Sequence, residues 1–301
     1  MKTPLFTGCG TAIITPFRND QLDLPAFRRM VELQAAGGTS AIIVCGTTGE
    51  AATLSEKEHE ALYRCAVRSS GGRMKIVAGI GSNNTRHALD MALLAQDCGA
   101  DGVLMVTPYY NKTTQAGLVA HFSYVADRVG LPVIAYNVPS RTGIGIEPET
   151  YLELSRHPNI NGVKEASGNI EQFARSIALC GDDLNFWSGN DGDTVAMMKL
   201  GAKGVVSVAS NLLPGVVARM CHLCLGGHFT AAEAQSQRYG ELFRVLFREV
   251  NPIPVKAAAE LMGLCGGELR LPLVPMEADH RAELTECLIR YGCMDRQTLC
   301  A

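Results

Sequence analysis

The feature that most constrains the fold is an eightfold alternation of short apolar runs with longer helical patterns. Each run is nearly continuous in apolar residues and is bounded by Gly, Pro or Asn, as is typical of strands buried on both faces of a parallel sheet. The eight runs are, in chain order, 11–14, 41–45, 75–79, 102–106, 132–136, 160–164, 185–188 and 204–208. The intervening segments, such as 84–98 and 114–129, are long enough for crossover helices.

This pattern predicts an α/β fold, a (β/α)8 TIM barrel that occupies residues 1–226 of the 301-residue chain. A doubly wound open sheet is the alternative, although it usually carries fewer strands. Further helical patterns follow the last run at 214–225, 230–250, 255–262 and 278–291. Because the last three exceed what a barrel needs, we predict a small C-terminal helical module at 227–301.

Composition and charge exclude several classes of function. The net charge is −3 without a basic block, which argues against nucleic-acid and anionic-membrane partners. The sequence has no apolar run of about eighteen residues and no secretory signal, so we expect a cytoplasmic protein with reduced cysteines. Cys45 lies inside an apolar run and is expected to pack there. Cys221 and Cys224 flank His222 with metal-like spacing but lack a second matching pair, and we predict no metal site.

Lys164 is the first candidate catalytic residue. Of the eight lysines, it alone stands at the end of a predicted strand. Desolvation at such a position favours the neutral amine, which is the form that attacks a carbonyl group to make a Schiff base. The active site of a barrel of this type lies at the carboxyl ends of its strands. An ordinary lysine at a frayed strand end is the structural alternative.

The second run is followed by Gly-Thr-Thr-Gly-Glu at 46–50, a segment that we name the cradle turn. The hydroxyl groups of Thr47 and Thr48, together with backbone N–H groups freed by the flanking glycines, suit a carboxylate ligand. A plain turn that caps a helix is the alternative.

Three tyrosines and an arginine also stand at predicted strand ends. Tyr109 and Tyr110 follow the fourth run, Tyr136 ends the fifth, and Arg141 lies shortly after it. Tyrosine can relay a proton or hydrogen-bond a substrate oxygen, and arginine can bind a carboxylate in a two-pronged contact. Each also has a structural alternative, because tyrosines often pack with a satisfied hydroxyl and loop arginines are usually solvated.

The seventh run is followed by Gly189 and Asp191. The glycine lets the backbone approach a ligand closely. Asp191 is either catalytic or a helix N-cap, and we favour the cap. Taken together, the strand ends predict an enzyme that condenses or cleaves a 2-keto acid through an imine on Lys164.

These motifs resemble the dihydrodipicolinate synthase (4-hydroxy-tetrahydrodipicolinate synthase) family of class I pyruvate-dependent aldolases over essentially the whole chain. The shared phrases are Gly-Thr-Ala-Ile-Ile-Thr-Pro-Phe at 10–17, the cradle turn, Thr-Pro-Tyr-Tyr-Asn at 107–111, Gly-Val-Lys-Glu-Ala at 162–166, Asn-Pro-Ile-Pro-Val-Lys at 251–256 and Leu-Pro at 271–272. The most specific phrase is Tyr-Asn-Val-Pro-Ser-Arg-Thr-Gly at 136–143.

The resemblance implies a role for each catalytic residue. It implies that Lys164 forms an imine with pyruvate and that Thr48 binds the pyruvate carboxylate. It makes Thr47, Tyr136 and Tyr110 a proton-relay triad, in which Tyr110 reaches into the site of a neighbouring subunit. Members of the family are usually homotetramers arranged as dimers of dimers.

The resemblance also implies the second substrate and the product. Arg141 would bind the carboxylate of L-aspartate 4-semialdehyde, while Gly189 and Val206 would line the site through their backbone carbonyls. The product, 4-hydroxy-tetrahydrodipicolinate, would feed the diaminopimelate route to lysine. No cofactor is implied, because the lysine itself supplies the electron sink.

Some members of this family bind lysine as a feedback inhibitor. The corresponding positions in this chain are Ala51, Ala52, Glu56, His59, Asn83, His87 and Tyr109. In inhibited members the position of His87 carries a glutamate that pairs with the amino group of the ligand, and Glu56 stands where a histidine is common. Because a histidine cannot replace that anion, we predict weak or absent inhibition by lysine.

Two other functions remain open. The first is a related aldolase or lyase acting on a sugar-derived 2-keto acid, such as sialic acid or 2-keto-3-deoxygluconate. Arg141 argues against it, because those substrates carry hydroxyls where the synthase substrate carries a carboxylate, and sialic acid lyases lack this arginine. The second is a catalytically silent barrel, against which the complete lysine, threonine and tyrosine set argues.

Overall fold

Eight parallel strands form a closed barrel in the computed structural model, which describes residues 1–295. The strands in this part of the chain are β1 (Gly8–Ala12), β2 (Phe17–Arg18), β3 (Gln21–Leu22), β4 (Ala41–Val44), β5 (Lys75–Gly79), β6 (Gly102–Val106), β7 (Val133–Asn137), β8 (Ile160–Glu165), β9 (Asn185–Ser188) and β10 (Gly204–Ser207). The barrel runs in the order β1-β10-β9-β8-β7-β6-β5-β4, and β1 pairs with β4 to close it. The predicted (β/α)8 fold is therefore confirmed.

Helices follow the barrel strands and then continue beyond them. Those in the described part are α1 (Leu24–Ala36), α2 (Glu56–Ser70), α3 (Thr85–Asp97), α4 (Gln115–Ala126), α5 (Pro139–Thr142), α6 (Pro148–Ser155), α7 (Ile170–Cys180), α8 (Thr194–Lys199), α9 (Pro214–Leu225), α10 (Phe229–Val245), α11 (Ile253–Leu261) and α12 (Ala278–Arg290). Between residues 1 and 295, no helix is long and apolar enough to span a membrane.

Local sequence sets the ends of these helices, and α2 is a clear case. The Ser55 side chain accepts a hydrogen bond from the backbone N–H of Glu58, and the Glu58 carboxylate accepts one from the N–H of Ser55. This reciprocal pair satisfies N–H groups that the first helical turn leaves without partners. The helix is capped at its carboxyl end by Gly71, whose φ of 55° lies in the left-handed region that favours glycine.

The largest departures from the sequence prediction are the bounds of one strand, the end of one helix and one hairpin. The first strand was placed at 11–14, but β1 begins at Gly8 because its ladder with β10 starts there. It ends before Ile14, whose N–H donates to the Asn211 side chain instead of to a strand. The β2–β3 hairpin was not predicted, since two-residue strands show no periodicity. The helix expected at 230–250 ends at Val245.

The interior of the barrel and the shell between strands and helices form two separate apolar cores. Inside the barrel, Phe6 stacks on Trp187 with ring centroids 4.9 Å apart. Because side chains alternate along a strand, neighbours on β8 face different cores. Val163 packs in the outer shell, whereas Lys164 pairs in register with Tyr136 and Trp187, which both belong to the interior core.

A buried ion pair connects the C-terminal helices to the barrel mouth. Lys256 on α11 donates to Glu50 of the cradle turn at 2.6 Å, and the two side chains are 0% and 1% exposed. The second carboxylate oxygen of Glu50 accepts a hydrogen bond from the backbone N–H of Arg270. The division into a barrel at 1–226 and a module at 227–301 stays a prediction, and residues 296–301 lie outside the described part of the chain.

Candidate active site

Lys164 lies inside the carboxyl end of the barrel, near the end of β8. Strand register places it between Tyr136 on β7 and Trp187 on β9. Its side chain is buried at 6% exposure, and its Nζ lies 4.2 Å from the centroid of the Tyr136 ring. The amine is thus held against an aromatic wall rather than in solvent.

Burial lowers the pKa of Lys164 from 10.5 to about 7. This value includes a smaller lowering of the pKa by the positive charge of Arg141 and an opposing effect of the negative charge of Asp191. Desolvation disfavours the ammonium form because water no longer stabilises the charge. A large fraction of the amine is consequently neutral at physiological pH, which suits a nucleophile that attacks carbonyl groups.

Tyr136 lies beside this amine and interacts with Thr47. Burial raises the pKa of Tyr136 to about 12, against the opposing effects of the Arg141 charge and of a hydrogen bond with Thr47. The phenol therefore keeps its proton at neutral pH and can donate it to a substrate oxygen. Thr47 is exposed in the cradle turn, which follows β4.

The cradle turn folds as a short 3₁₀ helix at Thr47–Gly49 and ends at Glu50, which has a left-handed φ of 56°. Thr48 is buried, and its hydroxyl oxygen accepts a hydrogen bond of 2.9 Å from the Nδ2 of Asn251. The Glu50 carboxylate holds the end of the turn against Lys256. The conformation of the turn therefore depends on residues far along the sequence.

Arg141 lies on α5, the single helical turn that follows β7. Its guanidinium group donates to the backbone carbonyl of Asn251 at 3.3 Å. The next residue, Thr142, is buried and accepts a hydrogen bond from the Thr107 hydroxyl at 3.0 Å, which fixes α5 against the end of β6. Arg141 thus lies within the electrostatic range of both Lys164 and Tyr136.

Gly189 follows β9 at a point where space is restricted. A Cβ atom at this position would lie 2.6 Å from the Cβ of Ala166 and 3.2 Å from the Cε of Lys164. Contacts of this kind admit only glycine without movement of the neighbours. Val206 is buried in the interior core on the adjacent strand β10. The family resemblance implies that both residues line the site, and this role stays a prediction.

Asp191 does not cap the helical turn that follows it, and the N-cap prediction was wrong. Asn190 precedes the 3₁₀ turn at Asp191–Asp193, while the buried Asp191 carboxylate points to the end of β10. There it accepts hydrogen bonds from the Ser207 hydroxyl and from the backbone N–H groups of Val208 and Ala209. Burial raises the pKa of Asp191, and these donors oppose the rise.

Glu165 supports the lysine strand from the outer shell, a role that the sequence did not reveal. Its carboxylate accepts hydrogen bonds from the Tyr151 hydroxyl at 2.5 Å, from the Asn137 side chain at 3.0 and 3.2 Å, and from the Ser167 backbone at 2.7 Å. The alternation of side chains along a strand could have indicated this role, because it places Glu165 on the opposite face of β8 from Lys164.

A cavity of about 560 Å³ opens at this end of the barrel. It brings together the predicted catalytic and substrate-binding residues Thr47, Tyr136 and Arg141 with most of the predicted lysine-binding positions. The latter are Ala51, Ala52, Glu56, His59, His87 and Tyr109. Lys164, Thr48, Gly189 and Val206 are not among its lining residues, although the Lys164 Nζ lies 4.2 Å from the centroid of the ring of Tyr136, which is.

The predicted lysine-binding positions include one carboxylate, Glu56, and two imidazoles, His59 and His87. His87 lies with its Nδ1 3.6 Å from a Glu56 carboxylate oxygen. Burial lowers the pKa of His59, and its Nδ1 lies 3.0 Å from the Ser55 carbonyl oxygen. Asn83 contributes its backbone carbonyl to a hydrogen bond from the Asn111 side chain. The predicted weak response to lysine stays a prediction.

Tyr110 stands apart from the other site residues. It is 91% exposed and has a left-handed φ of 68° in the loop after β6.

The only group of possible metal ligands found among residues 1–295 lies away from the site, where Glu249, Glu277 and His280 bring ligand atoms within 4.8 Å of one another. A 2.8 Å hydrogen-bond contact between His280 and Glu249 already accounts for that arrangement.

Comparison with known proteins agrees with this geometry. A model of the dihydrodipicolinate synthetase family matches residues 5–290. The 4-hydroxy-tetrahydrodipicolinate synthase of Thermoanaerobacter sp. (strain X514) is 46% identical over 290 residues, which cover 96% of this chain and 98% of that relative.

Solved structures give the same answer. Dihydrodipicolinate synthase from Thermotoga maritima has a TM-score of 0.95 and 40% identity, with coverage of 96% of this chain and 100% of that one. The Acinetobacter baumannii dihydrodipicolinate synthase complexed with pyruvate has a TM-score of 0.94 and 38% identity, with coverage of 96% and 99%. The chain therefore belongs to the dihydrodipicolinate synthetase family.

Proposed function

We infer that this protein is a lyase of the class I aldolase type that condenses pyruvate with L-aspartate 4-semialdehyde to give 4-hydroxy-tetrahydrodipicolinate. The observation that carries this inference is the buried amine of Lys164, whose pKa is lowered to about 7 at the mouth of the barrel. Relatives of this chain bear the name of that synthase, and a similar structure was solved with pyruvate.

Lys164 performs the first half of the proposed reaction. Its neutral amine attacks the keto carbon of pyruvate, and the keto oxygen leaves as water to give a protonated imine. The imine draws electrons from the methyl carbon, which loses a proton to form an enamine. Tyr136 and Thr47, which interact beside the amine, carry protons to and from the oxygen. The Thr48 hydroxyl binds the carboxylate.

Arg141 serves the second half of the reaction. The enamine carbon attacks the aldehyde of the semialdehyde, while the guanidinium group binds the carboxylate of this substrate. The substrate amine then attacks the imine carbon, closes the ring and releases Lys164. One water is lost overall, and there is no net oxidation or reduction. The lysine supplies the electron sink, so the proposal requires neither a metal ion nor an organic cofactor.

Assembly and cellular role form part of the same proposal. A tyrosine with 91% exposure and a left-handed backbone, as at Tyr110, is well suited to enter the site of a second copy of the chain. We propose a homotetramer built as a dimer of dimers, located in the cytoplasm and serving lysine and diaminopimelate biosynthesis. Sedimentation of the wild-type protein and of Tyr110→Ala would test the assembly, and a monomeric wild type would contradict it.

Borohydride trapping tests the central step. Incubation with pyruvate and borohydride should attach one N-(1-carboxyethyl) group to Lys164, identified by peptide mapping. Lys164→Met should gain no adduct, whereas Lys112→Met, which removes an exposed lysine of the loop after β6, should label as the wild type does. A label on another lysine would refute the assignment. Turnover with the semialdehyde, compared with cleavage of sialic acid or 2-keto-3-deoxygluconate, separates the proposed function from the sugar-acid aldolases.

A further inference from the structure

Asn251 connects the two groups that are proposed to bind carboxylates. Its Nδ2 donates to the hydroxyl oxygen of Thr48 at 2.9 Å, and its backbone carbonyl accepts from the Arg141 guanidinium group at 3.3 Å. The residue is buried, precedes α11, and contributes to the wall of the cavity. One residue from beyond the barrel strands thus contacts the proposed binding groups of both substrates.

The direction of the hydrogen bond to Thr48 has a chemical consequence. An amide NH2 group can only donate, so the bond uses a lone pair of the Thr48 oxygen. The hydroxyl hydrogen of Thr48 then remains available for an acceptor in the site, such as a carboxylate. If Thr48 donated to Asn251 instead, its hydrogen would be lost to the substrate.

We propose that Asn251 is a positioning residue that fixes the Thr48 hydroxyl as a donor to the pyruvate carboxylate, while its backbone carbonyl orients Arg141 for the second substrate. This proposal rests on the proposed function. In this proposal, a residue of the C-terminal part of the chain sets the direction of the hydrogen bond to Thr48. The two contacts can be tested separately, because a substitution of the Asn251 side chain removes the bond to Thr48 and leaves the backbone contact with Arg141 in place.

The side chain of Asn251 makes the residue suitable for mutation. Its Oδ1 is one of two buried side-chain polar atoms without a hydrogen-bond partner in the described part of the chain. Leucine has a similar size and removes this unsatisfied acceptor together with the donor, so Asn251→Leu is expected to fold. Asn251→Asp keeps the shape and still bonds to Thr48, but it reverses the direction of that bond and adds a negative charge.

The comparison of these two variants tests the proposal. Asn251→Leu should raise the KM for pyruvate severalfold, and Asn251→Asp should raise it by about tenfold or more. The KM for the semialdehyde should change much less in Asn251→Leu, because the backbone contact to Arg141 persists. A purely structural role predicts the opposite order, since aspartate matches asparagine in shape and keeps a bond to Thr48. A pyruvate KM that is no higher in Asn251→Asp than in Asn251→Leu would therefore overturn the proposal.

Three controls keep the outcome interpretable. Gln237→Leu removes an exposed amide on α10 and should leave both KM values unchanged. In a Thr48→Val background, Asn251→Leu should alter the pyruvate KM by less than about twofold, because the partner is already absent. A full effect in that background would contradict the proposal. If the leucine variant does not fold, Asn251→Ala replaces it in the same comparison.

The two levels of inference fail in different ways. Absence of a trapped pyruvate adduct on Lys164 in the wild-type protein would overturn the proposed function. A normal wild-type adduct, combined with pyruvate KM values that are no higher for Asn251→Asp than for Asn251→Leu, would overturn the role of Asn251 alone.

Discussion

Replacing Lys164 by methionine should abolish activity and at the same time make the protein more stable. The structure buries an ionisable amine in the barrel interior, where its pKa falls from 10.5 to about 7. The unfolded chain restores the ordinary pKa and so binds a proton more tightly than the folded chain. Below pH 7 the folded state bears the whole cost of this difference, and the cost disappears as the pH rises towards 10.5.

The size of this effect follows from linkage between protonation and folding. Each unit of pKa corresponds to about 1.4 kcal/mol, so the lowered pKa of Lys164 costs about 5 kcal/mol at pH 6. The same relation gives about 4 kcal/mol at pH 7 and about 2 kcal/mol at pH 9. Methionine fills a similar volume and carries no charge. The stabilisation by Lys164→Met should therefore fall by about 2 kcal/mol between pH 7 and pH 9.

Urea unfolding at several pH values, with equal protein concentrations, measures this difference. The control is Lys57→Met, which removes an exposed lysine on α2 and leaves the buried amine of Lys164 in place. A Lys164→Met protein that is less stable than the wild type at pH 7 would refute the reasoning. So would a stability difference that does not shrink as the pH rises.

Three further predictions concern the surroundings of the site. Lys256→Met leaves the Glu50 carboxylate buried without its cation and should lower the free energy of unfolding by about 3–5 kcal/mol. Adding Glu50→Gln should recover more than half of that loss. Urea unfolding of the single and double variants measures this, and losses that simply add would contradict it. Arg141→Ala should still form the pyruvate adduct but lose most condensation activity, and the acid limb of trapping should move to higher pH because the Arg141 charge lowers the pKa of Lys164; equal losses in both steps would count against the assignment. Activity should persist in millimolar L-lysine and become sensitive to it in His87→Glu, and strong inhibition of the wild type would show the prediction to be wrong.

The barrel could be predicted because its strands are buried on both faces and interrupted by Gly, Pro and Asn, which makes each one visible as an apolar run. The exceptions have physical causes. β1 begins with Gly8, Cys9 and Gly10, a stretch that carries little hydrophobic signal, yet its backbone pairs with β10. The β2–β3 hairpin is set by turn geometry at Asn19 and Asp20, whose φ values are positive, and strands of two residues have no period to detect.

The proposed site was predictable only in part. Lys164, Tyr136 and Arg141 follow from the rule that a barrel gathers the carboxyl ends of its strands. The contact between Asn251 and Thr48 joins residues 203 positions apart, and no local pattern reports such a pairing. The hydrogen bonds of Asp191 to the end of β10 were not predicted for the same reason. A carboxylate near the start of a helical turn usually has a local partner.

The ion pair between Glu50 and Lys256 spans 206 positions. It can therefore form at the mouth of the barrel only after most of the chain has been synthesised. During synthesis, Glu50 leaves the ribosome before Lys256, so its carboxylate has no cation to pair with until α11 has been made. A chain without α11 lacks the cation that pairs with the buried Glu50 carboxylate of the cradle turn. Chimaeras that exchange the final helices between relatives must therefore carry a matched lysine and asparagine along with them.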